Sequence, residues 1–390
     1  MDITPSTAET LHSEHLAQKI QQEITANNGA IPFSKYMEMA LYTPGLGYYA
    51  AGRTKLGQQG DFTTAPEISP LFGATITQTL LPVIEKLKTE GQLVNILEFG
   101  AGSGALAESI LDTLNNEGVS IDSYNILDLS ADLIERQQDR LKGRSENICW
   151  INQLPNKFTG IILANEVLDA MPVELVTLID GKWQYKDVCV NKNSNESVAF
   201  TFCTGGEVPI ELIPQHLQTT KLLNGYTTEL HLQGQGWIKA LGQCLDQGIF
   251  LTFDYGFPEH EYYHSQRGQG TLIGHYRHHT IQDPFYFPGL CDLTSHVNWT
   301  AIAENAIEHG FNFSGYTSQA SYLMDAGIGQ LLLEIANPTD AQTFMPLANG
   351  MQKLLSEAEM GELFKVLCLT KKMGISEGEL PGFRSRPRPL

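Results

Sequence analysis

A chain of 390 residues with 42% hydrophobic and 18% charged side chains has the balance of a globular protein and room for one large α/β domain with insertions, or for two domains. Its formal charge of −19 excludes a general binder of nucleic-acid backbones and suits a basic protein or a cationic side chain as partner. No apolar run reaches the length of a membrane span, and the start Met1-Asp2-Ile3-Thr4-Pro5 lacks the basic and apolar regions of a secretory signal, so a cytoplasmic protein without membrane insertion is expected.

Leu16, Ile20 and Ile24 share one face of a first helix that stops near Asn27-Asn28-Gly29, and a second helical run covers residues 36–41. The tight turn that follows carries Tyr42, Tyr48 and Tyr49, which with Tyr36 suit either a ligand mouth or a small aromatic core. Next comes Gly60-Asp61-Phe62-Thr63-Thr64-Ala65-Pro66-Glu67-Ile68-Ser69-Pro70. Ser69 can cap a helix that begins at Pro70 and buries Leu71, Phe72, Ile76, Leu80 and Ile84. Capping does not account for Asp61, Thr63 and Thr64 together, so this loop is expected to contact a polar ligand.

Residues 94–99 form an apolar run ending in Glu98-Phe99, which reads as a buried parallel strand. Gly100-Ala101-Gly102-Ser103-Gly104 then turns the chain into a helix carrying Leu106, Ile110, Leu111 and Leu114. A strand, a glycine turn and a helix N-terminus let the backbone approach a nucleoside-bearing cofactor. A second strand, residues 124–127, ends in Asp128-Leu129, at the spacing expected of a ribose-binding acid. Glu98, Gly100, Ala101, Gly102, Gly104, Asp128 and Leu129 are therefore candidate cofactor contacts.

Ser130 reads as the cap of a helix bearing Leu133, Ile134, Gln137 and Leu141, before strands at 147–151 and 158–164. The latter runs into Asn165-Glu166-Val167-Leu168-Asp169-Ala170-Met171-Pro172, whose amide and acids lie at a strand's carboxyl end, beside a cofactor. Glu166 should project from the strand end; Asp169 reads equally as a turn or capping residue before Pro172. Antiparallel strands are expected at 173–179, 183–190 and 197–202, with Asp180-Gly181 as a hairpin turn. A helix at 236–245 leads to a fifth core strand, 249–253, ending in Asp254-Tyr255-Gly256. Residues 256–297 hold Gly270-Thr271-Leu272, Tyr276-Arg277-His278-His279 and Asp292-Leu293-Thr294-Ser295-His296, and read as a lid-like insertion or as a solvated hairpin.

A helix at 298–308, a strand at 311–317, a helix at 351–360 and a strand at 364–370 complete the pattern. The expected division is an N-terminal helical and loop cap at 1–90, a doubly wound core at 91–372 with insertions at 173–235 and 256–297, and a mobile tail at 373–390. The six cysteines are scattered, with no histidine at zinc-ligand spacing, so no metal site is expected.

Taken in order, the 42–49 turn, the 60–73 loop, Ile96 to Gly104, Ala164 to Val173, Phe253 to Gly256, Gly270 to Leu272 with Tyr276-Arg277-His278, and Asp292 to Val297 resemble the MidA-like methyltransferases. That family includes a mitochondrial arginine methyltransferase of complex I assembly. The resemblance spans about residues 31–370. It implies a class I, Rossmann-like α/β fold with its last strand antiparallel, and S-adenosyl-L-methionine as cofactor. By resemblance, Gly100, Gly102 and Gly104 pass under the methionine part and Asp128 holds the ribose hydroxyls. Asn165 and Glu166 match the position bordering adenine and methyl acceptor, and Asp61, Thr63 and Thr64 match a loop that covers the cofactor. Mitochondrial members read Gly-Pro-Gly-Arg-Gly where this chain has Gly100-Ala101-Gly102-Ser103-Gly104; the glycines are kept and the arginine is replaced by Ser103.

The acceptor the resemblance implies is a protein side chain, an arginine guanidinium, with a respiratory complex I subunit as the client it suggests. A guanidinium is a delocalised cation that carboxylates can grip and orient. Glu166, Asp169 and Asp254 are the candidates for that grip, with Tyr276, His278 and His279 as candidates to take the proton. Two alternatives share the motif: a non-catalytic assembly chaperone, and an NAD(P)-dependent oxidoreductase using Gly100-x-Gly102-x-x-Ala105.

Overall fold

Seven strands run side by side in one central sheet, and the short strand Val297–Asn298 pairs with the end of Leu245–Phe257 as an eighth. The structure is a computed structural model that describes residues 4–51, 63–192, 198–385 and 388–390. Its central strands are β1 (Asn95–Phe99), β2 (Ser123–Leu127), β3 (Ile148–Ile151), β4 (Phe158–Asn165), β5 (Leu245–Phe257), β6 (Asn312–Ser318) and β7 (Phe364–Lys371). They lie in the order β3-β2-β1-β4-β5-β7-β6. Strands β1 to β5 are parallel, while β7 runs antiparallel between β5 and β6. The order turns back on itself between β1 and β4. In open α/β sheets that reversal opens a crevice at the strands' carboxyl ends.

The strands alternate between two cores, as a sheet covered on both faces requires. Ile96, Ile161, Leu163, Ile249 and Leu251 face the helices Leu71–Thr89, Ala105–Asn116 and Ile328–Ile335. Leu97, Phe99, Ile162 and Phe250 face the helices Leu232–Cys244 and Trp299–Glu308. Helix Leu71–Thr89 thus belongs to the central core, and a boundary at residue 90 divides nothing in the packing.

The first two helices, Thr7–Ala26 and Phe33–Tyr42, cover a second sheet instead. Its strands are Ala30–Ile31, Glu174–Ile179, Lys182–Val190, Phe200–Glu207 and Thr227–Leu230, all paired antiparallel. Leu16, Ile20, Phe33 and Tyr36 pack there against Val173, Leu175, Val188 and Phe200. Helices Thr7–Ala26 and Phe33–Tyr42 therefore share one core with the first insertion. Asp180 (φ 51°) and Gly181 (φ 80°) make the expected two-residue hairpin turn.

The second insertion folds into a small antiparallel sheet of Ile273–Tyr276, His279–Ile281 and Asp292–Thr294. Beyond it the helix expected at 351–360 is found at Ala341–Leu355, and the helices Gln319–Asp325 and Ile328–Ile335 were not anticipated. The tail is not loose. Phe383 is buried against Tyr322, with ring centroids 5.3 Å apart. Gly382 and Arg384 donate backbone N–H groups to the Asp325 carboxylate at 2.7 and 3.0 Å. Arg388 grips Glu362 with two hydrogen bonds of 2.6 and 2.7 Å. One buried aromatic ring and two acids hold a segment whose composition alone reads as mobile. Among the described residues no helix is long and apolar enough to cross a membrane.

Candidate active site

The glycine turn after β1 works through backbone geometry. Gly100, Gly102 and Gly104 have φ of 59°, 55° and 84°, a left-handed conformation in which a side chain would meet its own backbone. The turn is pinned at both ends. Gly100 N–H donates to Leu127 O at 3.0 Å, and Gly104 N–H to Ala101 O at 2.8 Å. Gly104 then starts the helix Ala105–Asn116. It lies off the cavity wall, so its part is to end the turn rather than to touch a ligand.

A cavity of about 780 Å³ opens at the switch point, within the range of roughly 300–1,000 Å³ for small-molecule sites. Glu98, Gly100, Ala101 and Gly102 from β1 and its turn line it, with Asp128 and Leu129 after β2 and Asn165, Glu166 and Asp169 after β4. Thr64 reaches the wall, whereas Thr63 is exposed outside it. Asp61 lies outside the described residues. Asn152 and Gln153, directly after β3, also line the cavity; the rule that ligands bind at strand carboxyl ends would have found them.

Each acid has its own support. Asp128 accepts from Ser130 N–H at 2.9 Å and from Gln137 Nε2 at 2.8 Å. Gln137 also donates to Gly102 O at 2.9 Å, so one buried amide ties the acid after β2 to the glycine turn. Glu98 is buried and accepts from the Tyr124 hydroxyl at 2.6 Å. Burial pushes its carboxyl up to about 7, although the Tyr124 hydrogen bond pulls the other way.

Glu166 ends β4 with a left-handed φ of 53°, a strained conformation for a residue with a side chain. Burial, then the Asp169 charge, push its carboxyl up to about 8, against hydrogen bonds from Asn165 and the Ala65 backbone. Asn165 Nδ2 is the donor to Oε1, at 3.0 Å. Burial likewise raises Asp169 to about 7.

Asp254 is different. It is fully buried and absent from the cavity wall. Its Oδ2 accepts from the N–H groups of Val167, Leu168 and Asp169 at 3.2, 2.9 and 3.2 Å, and its Oδ1 from Tyr255 N–H at 2.9 Å. A group committed to four backbone donors cannot grip a substrate; it shapes the loop that presents Glu166 and Asp169. Asp254→Asn replaces one acceptor oxygen with a donor facing backbone N–H groups. It is expected to cost about tenfold in kcat, with the loop loosened and cofactor affinity nearly kept. Steady-state kinetics beside a cofactor titration check this.

The N-terminal turn supplies the mouth. Tyr42 and Tyr49 line the cavity with rings stacked 5.6 Å apart. Tyr42 donates to Ala170 O at 2.9 Å, and Tyr49 donates to Asp292, whose two oxygens both lie 2.9 Å away. Tyr36 and Tyr48 belong to the aromatic core beneath. The two readings of this turn thus divide its tyrosines between them.

His278 does not enter the cavity. Arg277 (φ 48°) and His278 (φ 61°) form the two-residue turn between strands Ile273–Tyr276 and His279–Ile281, so both side chains are exposed at its tip. His279 is exposed as well, and buried Tyr276 points its hydroxyl to Glu9 at 3.4 Å. The histidine on the wall is His275, with Asp292 and Thr294 from the neighbouring strand. None of these three was anticipated; nor were Glu38, Trp237 and Tyr255, which also line the cavity.

Among the described residues the wall carries seven carboxylates and no lysine or arginine. Such a wall attracts cations, the glycine turn leaves backbone close to a ligand, and Asp128 lines the wall just after the second strand. The residues fit a cationic nucleoside with room to spare.

Comparison with known proteins agrees. Residues 75–317 match a family model described as "Putative S-adenosyl-L-methionine-dependent methyltransferase". A Burkholderia thailandensis protein, described as a candidate methyl transferase and crystallised with S-adenosyl-homocysteine, is 41% identical. The likeness covers 99% of this chain and 98% of that one, with a TM-score of 0.90. A mitochondrial Drosophila melanogaster relative named as a homolog of protein arginine methyltransferase NDUFAF7 is 27% identical, over 93% of this chain and 86% of its own length. The Homo sapiens protein of that name is 26% identical, over 93% and 84%.

Proposed function

We propose a protein side chain, arginine first, as the methyl acceptor of this enzyme, on the premise of its family: the chain belongs to the S-adenosyl-L-methionine-dependent methyltransferases with a class I fold. S-adenosyl-L-methionine is its cofactor and, when bound, supplies an electrophilic methyl group on a sulfonium.

In this reading Gly100, Ala101 and Gly102 give the cofactor's methionine part a backbone floor. Asp128 takes the ribose hydroxyls, with Leu129, Asn165, Thr64 and Glu98 around them. Glu166 and Asp169 grip the acceptor, each guanidinium N–H finding a carboxylate oxygen, so that one nitrogen is aimed and the remaining charge is held elsewhere. The observation that carries the reading is the wall itself: Glu166, Asp169 and Asp292 face a cavity with no lysine or arginine among its described lining residues. The curated relatives' names, protein arginine methyltransferase, point to the same acceptor. A subunit of a respiratory complex is the client that the family resemblance suggests, and the cytoplasm the compartment that the sequence suggests.

The test supplies methyl-labelled cofactor to a lysate from cells lacking the protein, with and without the purified enzyme, and maps labelled residues by mass spectrometry. Enzyme-dependent label on arginine is the expected result. Label confined to lysine, to another residue type or to small molecules overturns the arginine assignment.

A further inference from the structure

Of the three histidines between residues 275 and 279, only one turns inward. His275 lies directly opposite Asp292 in the antiparallel pair of Ile273–Tyr276 with Asp292–Thr294. Opposite residues in such a pair share a face, with Cβ atoms about 4.5–5.5 Å apart. Both side chains line the cavity, so the shared face is the inner one.

This pair is held from two sides. Tyr49 donates to the carboxylate of Asp292, 2.9 Å from each of its oxygens. Just before His275, the buried Glu229 takes the N–H groups of Thr271 and Leu272 on Oε1 at 2.7 and 2.9 Å, and the Tyr262 hydroxyl on Oε2 at 2.8 Å. Gly270 (φ 74°) makes this clamp possible, because a Cβ there would sit 2.2 Å from Glu229 Oε1. A strand anchored this firmly at its base aims a side chain as a rigid element does, not as a free lid.

We propose that His275 takes the proton released by the acceptor nitrogen, with Asp292 orienting the imidazole and balancing its charge. The proposal rests on the arginine reading above. Glu166 and Asp169 are engaged with the cation, which leaves the His275 imidazole, opposite Asp292 on the wall, as the group suited to take a proton. The nitrogen lone pair forms the new carbon–nitrogen bond, and the carbon–sulfur bond breaks with its electron pair left on sulfur. The nitrogen's proton passes to the imidazole and from there to water. His275 is then a catalytic residue and Asp292 a positioning residue. The charged or titratable groups around the pair are Glu166, Asp169, Tyr42, Tyr49 and Tyr255 on the wall, with His296 near enough to feel the His275 charge.

Two measurements on the full chain test this. The first follows the His275 imidazole by NMR in the S-adenosylhomocysteine complex, assigned by its loss in His275→Gln. Asp292→Asn is expected to lower its titration midpoint by about 1 unit, because an adjacent anion favours the imidazolium. The second is kinetic: His275→Gln is expected to lower kcat about 100-fold, with KM and S-adenosylhomocysteine affinity within about threefold of wild type. An imidazole midpoint unmoved by Asp292→Asn, or a kcat for His275→Gln within about threefold of wild type, overturns the proposal. The NMR result needs no acceptor, so failure of the arginine assignment would appear separately, as wild-type enzyme that labels no arginine.

Discussion

Glu166→Gln is expected to lower kcat by about 100- to 1,000-fold, while affinity for S-adenosylhomocysteine stays within about threefold of wild type. The amide keeps the volume and one acceptor oxygen but cannot carry the charge that the proposed guanidinium acceptor requires. The Glu166 carboxyl is also pushed up to about 8 by burial and by Asp169. In the free protein at neutral pH it is therefore mostly neutral, and an arriving cation must draw its proton off. Two pH effects follow. Activity per free enzyme should rise as the pH climbs through 7 to 8, and Glu166→Gln should flatten that rise. For stability the sign is opposite. A carboxyl raised from 4.5 to about 8 contributes stability below 4.5 that is lost as the pH rises through 8. Thermal melts of the free protein should fall across that window, less so in the Gln variant. Normal turnover by Glu166→Gln would remove this residue from the grip on the acceptor.

Gly102→Val is expected to weaken S-adenosylhomocysteine binding by about 100-fold or more. A β-branched side chain is a strong outlier at φ 55° and strains the turn by roughly 1–2 kcal/mol. Gly102 itself lines the cavity, so a distorted turn alters the wall there. Because Gln137 bonds both Gly102 O and Asp128, a displaced turn disturbs that acid as well. Calorimetric titration reads the affinity, and a melting curve shows that the variant is folded. Unchanged affinity would mean that the ligand does not lie along this turn.

What the sequence discloses is mainly local. β1, its glycine turn and the helix behind it occupy consecutive residues, so propensity, apolar pattern and turn chemistry all point one way. Asp128 was reachable by counting, since the second strand of such a unit ends at a fixed distance. The misses come from long-range packing or from one-residue phase. Residues 30–31 pair with residues 188–189, and nothing near either segment announces the other. His275 lies in the strand before a two-residue turn and His278 in the turn itself, and along the strand the facing reverses at every step. Asp254 resembles a catalytic acid in sequence because it ends a core strand. Four backbone N–H groups converging on its oxygens occupy it instead. The tail reads as disordered by composition, yet Phe383 finds a place against Tyr322 because Gly315 leaves space, a Cβ there falling 2.4 Å from the Phe383 ring.

The lining, rich in carboxyl groups and without lysine or arginine among its described residues, also bears on how the enzyme finishes a cycle. Fresh cofactor arrives with a positive sulfur; spent cofactor leaves with a neutral one, so its attraction to these walls weakens once the group has moved. A cleft lined this way is expected to favour reagent over by-product by charge. Its selectivity should fade in concentrated salt to the extent that the cleft stays open to ions.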